Sequence, residues 1–277
     1  MKLLRSIAEV DEAGCASSVL VPTMGALHEG HLSLVEAGKR LGLPVTVSIF
    51  VNPSQFGPNE DFSRYPRPFE RDEELLRNAG VSFLFAPSVD EIYPRQTTTV
   101  SVAEVTELYE GERRPGHFDG VTTVVCKLFQ IIQPSTAIFG LKDLQQCVVL
   151  RRMVEDLNMK VHLRFEPTLR DADGLAKSSR NAYLTLEERR IAPRLYESLK
   201  DSAQRIRSSE QPSDVVPLAT ERLRAAGFDV DYYDLIEIEK FRPTHDISRN
   251  CAIIAAVRLK SARLIDNVLL FDDQNMS

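Results

Sequence analysis

The chain has 277 residues, 43% hydrophobic and 27% charged, and 40 acidic against 34 basic side chains give it a formal charge of -6. That length suits one large domain or two modest ones, and the composition is that of a globular protein, which argues against disorder or membrane insertion. The acidic balance has the wrong sign for neutralising many phosphates, so a general nucleic-acid partner is excluded while one small anion in one cleft is not.

From the first residue onward, Met1 to Asp11 is broken by charges before the core of an export signal can build up. The longest apolar runs, such as Val45 to Val51 and Ala252 to Val257, fall far short of the ~20 residues that span a bilayer. Cys15, Cys126, Cys147 and Cys251 form no Cys-x-x-Cys pair, so free thiols and a cytoplasmic protein without a membrane partner are expected. Strands are predicted at Ser17 to Val21 and Val45 to Val51, with a helix from Gly30 to Leu41 between them. A helix at Phe69 to Ala79 and a strand at Val81 to Phe85 follow. Then come a helix at Val121 to Ile132, a strand at Ala137 to Phe139, a helix at Leu144 to Leu157 and a strand at Val161 to Phe165. Such alternation predicts an α/β fold with a parallel sheet. Beyond Asp173-Gly174 the pattern changes to a helix from Thr185 to Ile206, a second ending at Gly227, and strands at Val230 to Ile238, Ala252 to Leu259 and Leu264 to Leu270. A small α+β domain is expected there, giving domains of 1–175 and 176–277.

The richest stretch is Pro22-Thr23-Met24-Gly25-Ala26-Leu27-His28-Glu29-Gly30-His31, a strand running through a glycine turn into a helix. Backbone N–H groups at such a helix start, backed by the helix dipole, favour an anion. His28 and His31 share one face of the first turn, and their rings can donate to phosphate oxygens; singly, each could equally be a surface or capping residue. Asn52-Pro53-Ser54-Gln55 follows the second strand, at the end where parallel sheets bind ligands. Gly140-Leu141-Lys142-Asp143 with Gln146 follows a third, and Arg114-Pro115-Gly116-His117 is a further basic loop. Lys177-Ser178-Ser179-Arg180 combines hydroxyls and cations in a manner suited to polyphosphate, or to a polar turn capping the next helix.

These segments together resemble the pantoate:β-alanine ligases, and motifs in the same order run on through Asp173 to Asn181 and Ala262 to Asn267. A wider relationship is to the nucleotidylyl transferases, which remain the alternative function. A non-catalytic nucleotide-binding protein on the same fold is a second alternative. The resemblance implies a Rossmann-like ATP-binding domain, a smaller carboxy-terminal lid, a cytoplasmic homodimer, and magnesium with ATP. It implies that pantoate is adenylated by ATP with release of pyrophosphate, and that β-alanine then displaces AMP to give pantothenate. Met24, Gly25, Ala26, Leu27, His28, Glu29, Gly30 and His31 would line ATP, with Gly140, Leu141, Lys142, Asp143, Leu169 and Lys177. His28, His31, Lys142, Ser178, Ser179 and Arg180 would serve the reacting phosphates. Gln55, Gln146, Asn52 and Arg114 would bind substrate, and Asp72 would be the magnesium-associated acid. Leu141, Ser54 and Lys177 depart from the residues usual in the family, which bears on ATP affinity rather than on the reaction.

Overall fold

β-branched Val19, Val21, Val45 and Val47 are wholly or almost wholly buried, as strands covered on both faces of a parallel sheet require. The structure, a computed structural model, describes residues 1–58, 60–247 and 250–271. Its strands are β1 (Lys2–Leu4), β2 (Val19–Thr23), β3 (Val45–Ile49), β4 (Phe83–Phe85), β5 (Thr136–Gly140), β6 (His162–Glu166), β7 (Asp229–Glu237), β8 (Arg242–Pro243), β9 (Cys251–Arg258) and β10 (Arg263–Leu269). The helices are α1 (Ile7–Ala13), α2 (Glu29–Lys39), α3 (Phe69–Asn78), α4 (Val89–Ile92), α5 (Glu110–Arg113), α6 (His117–Ile132), α7 (Leu144–Asp156), α8 (Leu186–Ile191), α9 (Arg194–Arg207) and α10 (Pro212–Ala225).

The chain divides into two compact units. The first holds a 6-stranded sheet in the order β1-β4-β3-β2-β5-β6, with every pairing parallel. Strand order reverses between β2 and β5, and a parallel sheet opens its ligand crevice at the carboxyl ends of the strands at such a point. The turn after Thr23 and the segment from Gly140 leave the sheet there, while Asn52 to Gln55 follows β3. On one face, Leu34, Val35 and Ala37 of α2 and Leu76 of α3 pack on Val19, Val47, Leu84 and Ile138.

The second unit is an antiparallel sheet in the order β10-β9-β7-β8, with Leu195, Leu199 and Ile206 of α9 and Val215 and Leu223 of α10 packed against Leu235, Ile253 and Val257. Its main body begins at Pro167, where the expected division was 175, and Leu175 already contributes to this second core.

Two further differences from the sequence expectation have plain causes. The single helix expected from Thr185 to Ile206 is divided into α8 and α9 at Pro193, whose ring lacks the N–H that an uninterrupted helix requires. β1 and α1 lie in a segment too charged to show a strand pattern. α1 is nonetheless fully capped: Ser6 accepts from Glu9 N–H, Glu9 reaches back to the Ser6 backbone, and Gly14 ends the helix at φ 67. The cysteines are free thiols, with Cys15, Cys147 and Cys251 buried, and no helix among the described residues is long and apolar enough to cross a membrane.

Candidate active site

β2 leads into a turn that bends sharply, with φ 81 at Gly25 and φ 49 at Ala26. A side chain on Gly25 would also crowd Asp72 Oδ2 and Ile49 Cγ2, each 3.1 Å from its Cβ position, so glycine is needed there for both conformation and space. Thr23 Oγ1 donates to Ser48 O at 2.8 Å and accepts from Gly25 N–H. Asp72, on the first turn of α3 and 1% exposed, accepts Ala26 N–H at 2.7 Å on one oxygen and Leu27 N–H at 2.8 Å on the other. Burial pushes its carboxyl above the ordinary Asp value, opposed by those two N–H groups.

This geometry bears on the role expected of Asp72. Asp72, expected as a magnesium-associated acid, braces the turn through both oxygens, and among the described residues no group of three or more His, Cys, Asp or Glu could hold a metal. A site built from protein ligands alone is therefore not seen among the described residues. The amides of Ala26 and Leu27, for their part, already bond Asp72 and are not turned to an anion.

The helix start is capped by its own histidines. His28 Nδ1 accepts Gly30 N–H at 3.1 Å, and His31 Nδ1 accepts His28 N–H at 3.3 Å, so each neutral ring carries its proton on Nε2. The ring centroids lie 4.1 Å apart. Capping and ligand binding, read as alternatives from sequence, are compatible in chemistry, because capping uses Nδ1 and leaves the proton on Nε2.

After β3, Asn52 is 1% exposed and Gln55 is 8% exposed. Asn52 Oδ1 accepts from Ser54 N–H, Ser54 Oγ and Tyr93 Oη, while its Nδ2 donates to Gly120 O at 3.0 Å and Gln55 Oε1 at 3.1 Å. Ser54 N–H can only donate and Gly120 O can only accept, which fixes the Asn52 amide. That in turn fixes Gln55, whose Nε2 is presented as a donor against the weak acceptor Met24 Sδ at 3.0 Å. Asn52, expected as a substrate contact, thus orients Gln55. α6 runs close beneath this loop, since a Cβ on Gly120 would lie 2.4 Å from Ser54 O.

Arg114, also expected at substrate, is half-buried and donates from Nε and Nη2 to the two Glu60 oxygens, each at 2.8 Å. Its Nη1 lies 2.9 Å from His117 Nε2, and His117 Nδ1 lies 2.9 Å from Gln55 O. On α7, Gln145 is held by Glu110 N–H, Val105 O and Leu108 O, and its neighbour Gln146 is half-buried. The roles of Glu60, Tyr93 and His117 are absent from the sequence reading. Only His117 had a signal, as part of the Arg114 to His117 motif; Glu60 and Tyr93 arrive from distant segments.

In the second unit, Leu169 O accepts Lys177 N–H and Leu175 O accepts Asp171 N–H, forming a tight loop. Lys177 Nζ is 2.6 Å from Asp171, and Arg189 bridges Asp171 and Asp173 at 3.0 and 2.6 Å, so the Lys177 charge is already shared with a carboxylate. Ser178 caps the short turn of Ser179–Tyr183 by accepting Arg180 N–H. Lys142 Nζ lies 3.8 Å from Asp143, and Asn267 Nδ2 donates to Lys142 O.

The family model described as pantoate-beta-alanine ligase matches residues 2–269. The chain belongs to the pantoate-beta-alanine ligase family. Among named relatives, pantothenate synthetase of Moorella thermoacetica is 48% identical over 98% of this chain and 99% of its own, and that of Paramagnetospirillum magneticum is 50% identical over 91% and 89%. A crystal structure of pantothenate synthetase from Thermus thermophilus superposes with a TM-score of 0.95 at 45% identity, covering 98% of this chain and 100% of the other. A Francisella tularensis pantoate-beta-alanine ligase, complexed with beta-gamma ATP and beta-alanine, gives 0.83 at 33% identity over 98% of both chains. Ligases of this family thus share the parallel sheet and the separate antiparallel unit described above.

Proposed function

We propose that this chain condenses pantoate with β-alanine at the expense of ATP. The pantoate carboxylate attacks the α-phosphorus, forming an acyl adenylate as the bond to pyrophosphate breaks. The β-alanine amine then attacks the acyl carbon, an amide forms, and AMP leaves with the electron pair. Adenylation divides a difficult step into two easier ones. Family membership over residues 2–269 is the observation that carries this reading, and the paired Nε2–H donors of His28 and His31 supply chemistry that suits it. Those donors stabilise charge that grows on the phosphates. Gln55, held as a donor, matches the hydroxyl and carboxylate oxygens of pantoate, and Gln146 is assigned to the same substrate.

Lys142, Ser178, Ser179 and Arg180 are assigned to phosphates, with Gly140, Leu141, Asp143 and Leu169 on the nucleotide. Magnesium is assigned to the nucleotide's own phosphates, the usual way that ion is carried with few protein ligands. A cytoplasmic homodimer rests on the family resemblance alone, and sedimentation equilibrium of the purified chain checks the dimer. Pantoate-dependent exchange between ATP and pyrophosphate tests the reaction: exchange is expected with pantoate and none without it, and absence of exchange with pantoate overturns the proposal. His31→Ala should slow that exchange by roughly 100-fold or more, as loss of a donor to a charged transition state does, while costing only about 1 kcal/mol of stability through the lost capping bond to His28 N–H.

A further inference from the structure

His117 is buried at the first turn of α6, directly after Gly116, whose φ is 79. Its two ring nitrogens face partners that each permit one role. Gln55 O only accepts, so Nδ1, 2.9 Å away, carries the proton. Arg114 Nη1 only donates, so Nε2, 2.9 Å away, offers its lone pair. The ring therefore bridges the loop that carries Gln55 and a guanidinium that is itself held by both oxygens of Glu60. Glu110, 3.9 Å from Arg114 Nη1, completes the charged surroundings, and the Phe118 ring packs at 5.0 Å between centroids.

We propose that His117 is a positioning residue of the ligase reaction, setting where Gln55 meets pantoate by clamping the Gln55 backbone against the fixed Arg114–Glu60 pair. The inference rests on the assignment of Gln55 to pantoate. Asn52 fixes how the Gln55 amide is turned, and His117 fixes where the residue stands. A rigid ring with a donor on one edge and an acceptor on the other holds both partners without a flexible stem. Protonation would remove the acceptor and set a second cation against Arg114. Burial first, and Arg114 second, accordingly push its pKa down to about 4.

The test compares wild type, His117→Asn and His117→Gln in pantoate-dependent ATP–pyrophosphate exchange. The Asn amide reaches the position of Nδ1 and keeps a donor for Gln55 O; the Gln amide reaches the position of Nε2 and serves Arg114 alone. His117→Gln should raise the KM for pantoate about tenfold, the size of effect that follows loss of a buried hydrogen bond. His117→Asn should remain within about twofold of wild type for pantoate, and neither variant should move the KM for ATP by more than about twofold. Equal pantoate effects in both variants, no effect in either, or parallel shifts for ATP and pantoate would overturn the proposal. Nitrogen NMR of the intact wild-type enzyme with labelled histidine is independent of whether the variants fold. A neutral Nδ1–H ring at about pH 6 is expected for His117, and an Nε2–H or doubly protonated ring overturns the clamp. Failure of wild type to exchange would refute the assigned reaction instead, whatever tautomer His117 shows.

Discussion

Asp72 has a structural task that its sequence context does not show. The family resemblance alone singled it out, as a magnesium-associated acid. Its partners, the Ala26 and Leu27 amides, lie more than forty positions earlier, and no local pattern couples them. His28 and His31 were legible as a pair because helical spacing alone places them together. Their capping depends on Nδ1 of each ring meeting a backbone N–H, which sequence does not encode. Asp72→Asn keeps one acceptor and turns a donor toward the other backbone N–H. The expected loss of stability is about 1–3 kcal/mol, the range for leaving a buried group unsatisfied, seen as a lower denaturation midpoint. Exchange activity should fall with it, because the same turn carries His28. Raising magnesium should not restore activity. Recovery at high magnesium would return Asp72 to the metal role that its geometry disfavours.

At the scale of elements, the legible features were those with a strong period and clear punctuation. Buried β-branched runs located β2 and β3, and the helix expected over Phe69 to Ala79 is α3. α6 was found from Val121 onward, but its first turn, His117 to Gly120, was missed because it is polar and interrupted by glycine. That turn meets the short Pro53–Gln55 helix through the Asn52 Nδ2 bond to Gly120 O and the His117 bond to Gln55 O, tertiary contacts that leave no periodic trace. Gly120→Ala separates intrinsic propensity from packing here. Alanine in a helix interior ordinarily gains roughly 1 kcal/mol over glycine. Here its methyl would lie 2.4 Å from Ser54 O and 2.6 Å from the Gln55 Cα, and backbone atoms at that range must move apart. Overpacking of this kind costs about 1–3 kcal/mol, so the sign is expected to reverse. Denaturant titration should show net destabilisation, and the KM for pantoate should rise as the Gln55 loop shifts. A stabilised variant with normal pantoate binding would show that α6 and the loop yield without consequence.

For the whole molecule, the sequence pattern changes after Gly174, whereas the second compact unit takes up the chain from Pro167, and Leu175 packs in its core. The two units also contain different acid-sensitive groups. His117 has a folded pKa pushed down to about 4 from 6.5, so below 6.5 the unfolded chain binds a proton that the folded one refuses. Its contribution is complete above about 6.5, declines as pH falls toward 4, and on the order of 3 kcal/mol is at stake. Glu188, in the second unit, is bound by the Ser261 hydroxyl and by the Thr185 and Ser261 N–H groups, which hold its carboxyl down to about 2 from 4.5. Its contribution persists above about 4.5 and is lost only as pH falls toward 2. Acidification should therefore loosen the first unit before the second. The chain has no tryptophan, so hydrogen exchange by mass spectrometry, corrected for the intrinsic pH dependence of exchange, is the appropriate readout. Between about pH 6.5 and 4.5, protection should fall in α6 and the Asn52 to Gln55 loop while α8 and β10 hold. Asp72 acts in the opposite sense, since its raised carboxyl pKa favours the folded form as the proton is taken up, so the comparison with His117→Asn is needed to isolate the ring. With the imidazole gone, the α6 decline over that range should disappear. A decline that persists in the variant would assign the acid sensitivity of the first unit to another group.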